Sequence, residues 1–128
     1  MNLRKLFVIH AAITLAAGVV LLVAPKAIPG AVDITLSTPA YLLCYFLGAA
    51  EIALALLSFG ARNIRDVSAL GLIVWTFIVF HGLTGILEIY AITQGGSSRL
   101  WANVGLRVLA VGLFAYYGRT RGGKIIRG

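Results

Sequence analysis

Charged side chains and cysteine are both scarce in this sequence. Its 128 residues include 11 Lys and Arg, 4 Asp and Glu, and 60% hydrophobic residues. So apolar a composition excludes a disordered chain and an ordinary soluble domain, whose helices carry polar residues every few positions. The one cysteine, Cys44, excludes an intramolecular disulfide and any cysteine-pair redox mechanism.

Long apolar stretches are abundant instead. They cover about residues 6–24, 40–60, 68–92 and 100–118, and a helix needs roughly 20 apolar residues to cross a bilayer. Because the connections are short, we expect consecutive helices to be antiparallel neighbours. The sequence therefore predicts an all-α fold in which residues 1–128 form one domain, a transmembrane four-helix bundle with up-down-up-down topology.

The first span resembles a signal peptide in having basic residues before it, but we expect it to be retained. Its apolar run is too long, and Ala24-Pro25 is a poor cleavage site. Proline cannot continue a helix, so Pro25 ends this one. In the long connection that follows, residues 25–39, the amphipathic stretch 31–36 is predicted to lie flat at the membrane interface as a lid.

The net charge of +7 comes from basic residues at the ends of the spans. They do not form a basic surface that could bind a nucleic-acid duplex, so we expect no nucleic-acid partner. Eight of them fall on one side of the bundle, and only Lys26 and Arg99 fall on the other. The positive-inside rule then predicts that both termini are cytoplasmic, in the inner (plasma) membrane of a bacterial-type cell. The eight are Arg4, Lys5, Arg62, Arg65, Arg119, Arg121, Lys124 and Arg127.

Six strongly polar side chains lie inside the spans, where an ionisable group costs at least about 2.5–3.5 kcal/mol. Each lies on a stripe of small or polar residues on one helix face, such as the stripe from Cys44 through Glu51 to Ser58. Small residues let helices approach and polar groups bond across the contact, so the four stripes are expected to face one another. The six are His10, Glu51, His81, Glu88, Asn103 and Arg107.

Depth along each helix, at 1.5 Å per residue, predicts which of these groups meet. Glu51 and His81 both fall near the middle of the bilayer and are expected to be neighbours. Glu88 lies about 10 Å nearer the outside, where it would meet Asn103 or Arg107.

His10 falls toward the cytoplasmic end, below the other polar groups. This difference in depth argues against haem ligation by His10 and His81. It also argues against a metal site built from two histidines and two glutamates, for which the usual Glu-x-x-His pair is missing as well. We therefore predict no metal and no other cofactor.

A carboxylic acid and an imidazole held close together can act as general acid and base. We predict that Glu51, His81 and Glu88 transfer protons in the epoxide opening, isomerisation or cyclisation of a hydrophobic molecule that enters from the bilayer. This substrate would be isoprenoid-, quinone- or lipid-like. The remaining pocket candidates, for substrate binding or charge stabilisation, are Asn103, Arg107, Thr84 and His10.

Two other functions are compatible with the same residues. The protein could be a proton-coupled exporter of small molecules that works as a dimer through Glu51, although Arg107 in the same interior would repel cationic cargo. It could also be a non-catalytic membrane subunit whose polar interior only specifies the fold. Homo-oligomerisation is left open.

Three segments resemble the small DoxX-like integral membrane proteins. They are Leu21–Pro25 at the end of the first span, Leu47–Glu51 in the second and Phe80–Leu83 in the third. The resemblance covers most of the chain and implies a four-helix bundle. Some members of that group are linked to quinone or thiosulfate oxidation, but the resemblance assigns no catalytic residue to a position in this sequence.

Overall fold

The computed structural model describes residues 1–121, and that part of the chain is helical with connecting turns. The four long helices are each long and apolar enough to cross a bilayer, so the predicted all-α fold of a multi-pass membrane protein is confirmed. A short helix and a 3-10 turn (Thr38–Ala40) lie between the first two spans. The helices are α1 (Leu3–Val23), α2 (Ala27–Ala31), α3 (Tyr41–Ala61), α4 (Val67–Thr93) and α5 (Leu100–Arg121).

Side-chain caps fix where two of the spans begin. Asn2 accepts a hydrogen bond from the backbone N–H of Lys5 at 2.9 Å, and Asp66 accepts one from that of Ala69 at 2.6 Å. Each cap satisfies a backbone donor that the first turn of a helix leaves without a partner. Both caps lie at the end of the bundle that the basic residues predict to be cytoplasmic.

The long helices form two antiparallel hairpins, α1 with α3 and α4 with α5. In the first hairpin, a Cβ added to Gly18 would lie 2.9 Å from the carbonyl oxygen of Gly48, so the two backbones touch where both residues lack side chains. In contrast to the sequence prediction, the consecutive helices α3 and α4 make little contact. The small-residue stripe of α3 is already covered by α1, and α1 joins the two hairpins.

Three fully buried phenylalanines form the apolar core where the hairpins meet. The ring of Phe7 on α1 lies 6.2 Å from that of Phe77 on α4 and 5.8 Å from that of Phe114 on α5. Phe7 is four residues into its helix and Phe77 is ten residues into its own, so α4 begins about 9 Å nearer the predicted cytoplasmic side than α1 does.

The connection after α1 differs from the predicted lid. Its helical part is α2, and the segment 32–36 that follows is a turn and irregular chain. In that turn Asp33 forms an ion pair with Arg99 at 3.0 Å and accepts a hydrogen bond from Ser97 at 2.7 Å. The loop is therefore tied to the turn between α4 and α5. Of the predicted cytoplasmic tail, the Arg121 side chain, Lys124 and Arg127 lie outside what the structure describes.

Candidate functional site

Two histidines from different hairpins meet in the centre of the bundle. His10 on α1 and His81 on α4 are 7% and 4% exposed, and their Nε2 atoms are 2.9 Å apart. Two imidazoles bound to one tetrahedral metal ion would hold these atoms roughly 3.3 Å apart, so the shorter contact seen here is a hydrogen bond. Phe77 and Phe114 lie against His10, with ring centres at 4.5 and 5.2 Å, and they exclude other polar partners on those sides.

The hydrogen bonds of these histidines assign their protons. Arg107 approaches Nδ1 of His81 at 3.1 Å, and because a guanidinium can only donate, Nδ1 must accept. Neutral His81 then carries its proton on Nε2 and donates it to Nε2 of His10. His10 in turn carries its proton on Nδ1 and donates it to the hydroxyl of Ser58 at 3.0 Å.

The chain of hydrogen bonds ends on the backbone. The Ser58 hydroxyl, which is fully buried, donates to the carbonyl oxygen of Phe7 at 3.0 Å. From Arg107 to Phe7 each group thus donates to the next one in the chain, and the last acceptor, on Phe7, lies nearest the predicted cytoplasmic end. Each of the two imidazoles has both nitrogens occupied, which leaves neither of them free to accept a proton from a substrate.

A second polar group surrounds Glu88 on the outer side of the histidines. Asn103 donates to Oε1 of Glu88 at 2.5 Å, and Nε of Arg107 lies 3.6 Å from the same oxygen. Gly85 leaves room for the Arg107 stem, since a Cβ there would lie 3.4 Å from its Cβ. The other oxygen of Glu88, Oε2, is buried and has no hydrogen-bond partner within residues 1–121, and the same is true of Arg107 Nε.

Glu51 is the least satisfied of the predicted site residues. It is only 5% exposed, and the described part of the chain offers its carboxylate neither a hydrogen bond nor an ion pair. The Arg107 guanidinium is near enough to act on it electrostatically. The centre therefore has a fully paired half, made by the histidines, and an underpaired half with two carboxylates.

These positions agree with the sequence interpretation in part. The stripes do converge, and Glu88 meets both Asn103 and Arg107 as predicted. The prediction that His10 lies below the other groups was wrong, because α4 begins nearer the predicted cytoplasmic side than α1 does and so brings His81 level with His10. The side-chain partners of His81 are accordingly His10 and Arg107, and its predicted contact with Glu51 is not among them.

One predicted residue stays outside the network and one unpredicted residue joins it. The Thr84 hydroxyl donates to the carbonyl oxygen of Phe80 within its own helix at 2.6 Å. Ser58 was recognised only as a member of the α3 stripe, seven residues after Glu51, and that spacing was the available signal for it. Within residues 1–121, no three His, Cys, Asp or Glu side chains are grouped closely enough to hold a metal ion.

Together, the fold and this centre define a multi-pass helical membrane protein with a buried polar interior. Comparisons of the chain with protein-family models, with curated proteins and with solved structures find no match.

Proposed function

We propose that this protein binds a hydrophobic small molecule whose polar end reaches the underpaired half of the interior. The molecule carries a hydrogen-bond donor, such as the hydroxyl of an isoprenoid alcohol or a quinol, and it enters from the bilayer. Glu88 and Glu51 receive that donor, and Arg107 with Asn103 fixes the orientation of Glu88.

The observation that carries this proposal is the pair of carboxylates with unused acceptor atoms. A buried polar group without a partner costs several kcal/mol in a membrane interior, where no bulk water can replace the missing bond. Oε2 of Glu88 is in this position. The Glu51 carboxylate, on a residue that is only 5% exposed, likewise has no hydrogen-bond partner among the described residues. A ligand hydroxyl would satisfy them and would leave the hydrocarbon part of the molecule among the apolar helix faces.

Acid–base chemistry follows from two carboxyl groups in unlike surroundings. Arg107 and Asn103 contact Glu88 and favour its ionised form, whereas Glu51 has no such contact and is suited to carry a proton. Glu88 would therefore remove a proton and Glu51 would supply one, as epoxide opening, isomerisation or cyclisation requires. His81 has a supporting part in this scheme, because both of its ring nitrogens are engaged.

The other two candidate functions receive less support. A cation exporter would need to move positive cargo past Arg107, which lies between the histidines and Glu88. A subunit with a purely structural interior would be expected to pair its buried carboxylates fully, as it pairs its histidines. The inner-membrane location, the cytoplasmic termini and the kinship with DoxX-like proteins remain part of this proposal.

The test is to identify what copurifies with the protein. Wild-type protein and the E51Q, E88Q and D33N variants are purified in a mild detergent, extracted with organic solvent and analysed by mass spectrometry. We expect one lipophilic compound with a hydroxyl or amine group to be enriched over bulk lipid in wild type. Because a hydrogen bond to a charged group contributes about 1.5–3 kcal/mol, its occupancy should fall at least about tenfold in E88Q. In E51Q, where the bond is to a neutral carboxyl group and contributes about 0.5–1.5 kcal/mol, the occupancy should fall roughly two- to tenfold.

D33N is the matched control, since it also converts a carboxylate to an amide but at an exposed ion pair outside the spans. It should keep the compound at the wild-type level. Gel filtration establishes that all variants are folded. Equal amounts of the compound in all four proteins, or bulk membrane lipid alone in each, would contradict the proposal.

A further inference from the structure

A second site lies at the opposite end of the bundle from Glu88 and is independent of the proposed function. There a groove of about 880 Å³ runs between the start of α1, the turn between α3 and α4, and the end of α5. Pockets that hold small molecules commonly enclose about 300–1,000 Å³. The groove lies at the membrane interface that the basic residues predict to be cytoplasmic.

The rim of the groove is positively charged. Four arginines line it, and within residues 1–121 none of them forms an ion pair with an acid. The acid nearest to them in sequence, Asp66, caps α4 through the N–H of Ala69 and does not line the groove. Residues 122–128 contain no Asp or Glu side chain either. The four arginines are Arg4, Arg62, Arg65 and Arg119.

Arg62 is held in place without its charge being neutralised. Its guanidinium lies over the ring of Phe59, 3.2 Å from the ring centre, and this cation–π contact orients it. Its Nη1 atom is buried and has no hydrogen-bond partner among the described residues. A cationic donor fixed in this way is suited to an anionic oxygen.

The wall of the groove is apolar and continues into the bilayer. It follows α4 from Val67 through Val74 to Ile78, a length of about 16 Å at 1.5 Å per residue. Trp75 lines the groove and is 61% exposed. At this residue the groove is therefore continuous with the lipid-facing surface of α4. The site thus joins a cationic rim at the interface to an apolar channel. This arrangement is complementary to an anionic phospholipid, which has a negative head group at the interface and an apolar acyl chain below it.

We propose that this groove binds one anionic glycerophospholipid, with the head-group phosphate at the arginines and an acyl chain along α4. The charge selects an anionic head group over a zwitterionic one, because the zwitterion brings a positive group to the same rim. The apolar wall makes the acyl chain necessary, so a water-soluble glycerol phosphate should bind far more weakly.

Native mass spectrometry in detergent tests the proposal with phosphatidylglycerol and phosphatidylcholine of the same acyl chains, and with glycerol 3-phosphate. We expect one phosphatidylglycerol to bind at least about tenfold more tightly than either other compound. A basic residue near an anionic lipid surface contributes about 1 kcal/mol, or roughly a fivefold change in affinity. R62Q and R119Q should each weaken phosphatidylglycerol binding by that factor.

R99Q is the matched control, because Arg99 is an exposed arginine at the other end of the bundle, and its substitution should leave phosphatidylglycerol binding unchanged. R65Q, at an exposed turn position, supplies a further rim variant if R62Q does not fold. Equal binding of phosphatidylcholine, equal binding of glycerol 3-phosphate or an equal loss in R99Q would each overturn the proposal. E88Q should retain the phospholipid, which separates this outcome from that of the proposed function.

Discussion

At the scale of single residues, Arg107 affects groups that it does not touch. A guanidinium cannot accept a hydrogen bond, so its contact with His81 determines which nitrogen of that ring carries the proton. The same constraint passes through His10 to the Ser58 hydroxyl. Both histidines are therefore held neutral and in one tautomer, which is an arrangement that lowers the cost of burying them in a membrane interior.

The S58A substitution removes the end of this chain. Nδ1–H of His10 then loses its acceptor, and a buried donor without a partner costs about 1–3 kcal/mol. We expect the free energy of unfolding to fall by that amount, measured by denaturation in mixed micelles. S68A, at an exposed serine in the first turn of α4, should change it by less than about 0.5 kcal/mol. A loss of equal size in both variants would show that the His10 contact is not responsible.

Some of these residue contacts follow from the sequence and others do not. Glu88 and Asn103 lie within about 8 Å of helical rise of the short turn that joins α4 and α5, so they are expected at similar depth, and helical rise alone predicts their contact. Ser58 gives a weak signal, since a serine in a membrane helix is more often bonded within its own helix, as Thr84 is. Only the three-dimensional structure reveals that the partner of Ser58 is the His10 ring.

At the scale of helices, the contact between α1 and α3 depends on two glycines. An added Cβ on Gly18 would lie 2.9 Å from the Gly48 carbonyl oxygen and 2.8 Å from the Ile52 side chain. Because one of these neighbours is backbone, the helices must move apart, and overpacking of this kind costs about 1–3 kcal/mol. We expect G18A to lower the thermal stability of the purified protein accordingly.

G82A is the control for this prediction. Gly82 is in the middle of α4, and a Cβ there meets nothing within 4 Å. Alanine is up to about 1 kcal/mol better than glycine in a helix, so G82A should be neutral or slightly stabilising. If G18A also proved neutral or stabilising, the close approach of α1 to α3 would be wrong.

Helix positions along the membrane normal were harder to predict than helix identities. The apolar runs indicate all four spans, because length and hydropathy are properties of the sequence alone. The relative shift of α4 against α1 comes instead from how Phe7, Phe77 and Phe114 pack. A side-chain fit between distant segments is not encoded in the periodicity of either one, which is why His10 was misplaced.

At the scale of the whole molecule, the charge asymmetry predicts the orientation in the membrane. In a C44A background, we expect a cysteine at position 98 (S98C) to react with a membrane-impermeant maleimide in intact cells. A cysteine at position 63 (N63C) should react only after the cells are permeabilised. Both positions are exposed and lie in turns at opposite ends of the bundle. The reverse pattern of labelling would place the termini outside the cytoplasm.

Helix order around the bundle was predicted less well than topology. Short connections suggested that every consecutive pair would pack, but α3 and α4 barely touch. A connection limits how far two helix ends can separate without specifying a face. The faces are decided by shape, and the Gly18–Gly48 contact favours α1 as the neighbour of α3.

The uniform direction of the hydrogen bonds from Arg107 to Phe7 has a consequence for membrane energetics. A hydrogen-bonded chain of polar groups in a membrane can conduct protons if each group passes a proton on to the next. Here the chain starts at a guanidinium, which does not release a proton at physiological pH. It ends at a backbone carbonyl oxygen, which has no proton to donate to a further group. We expect such a chain not to conduct protons, so that a cell can hold many copies of this protein without dissipating its proton-motive force.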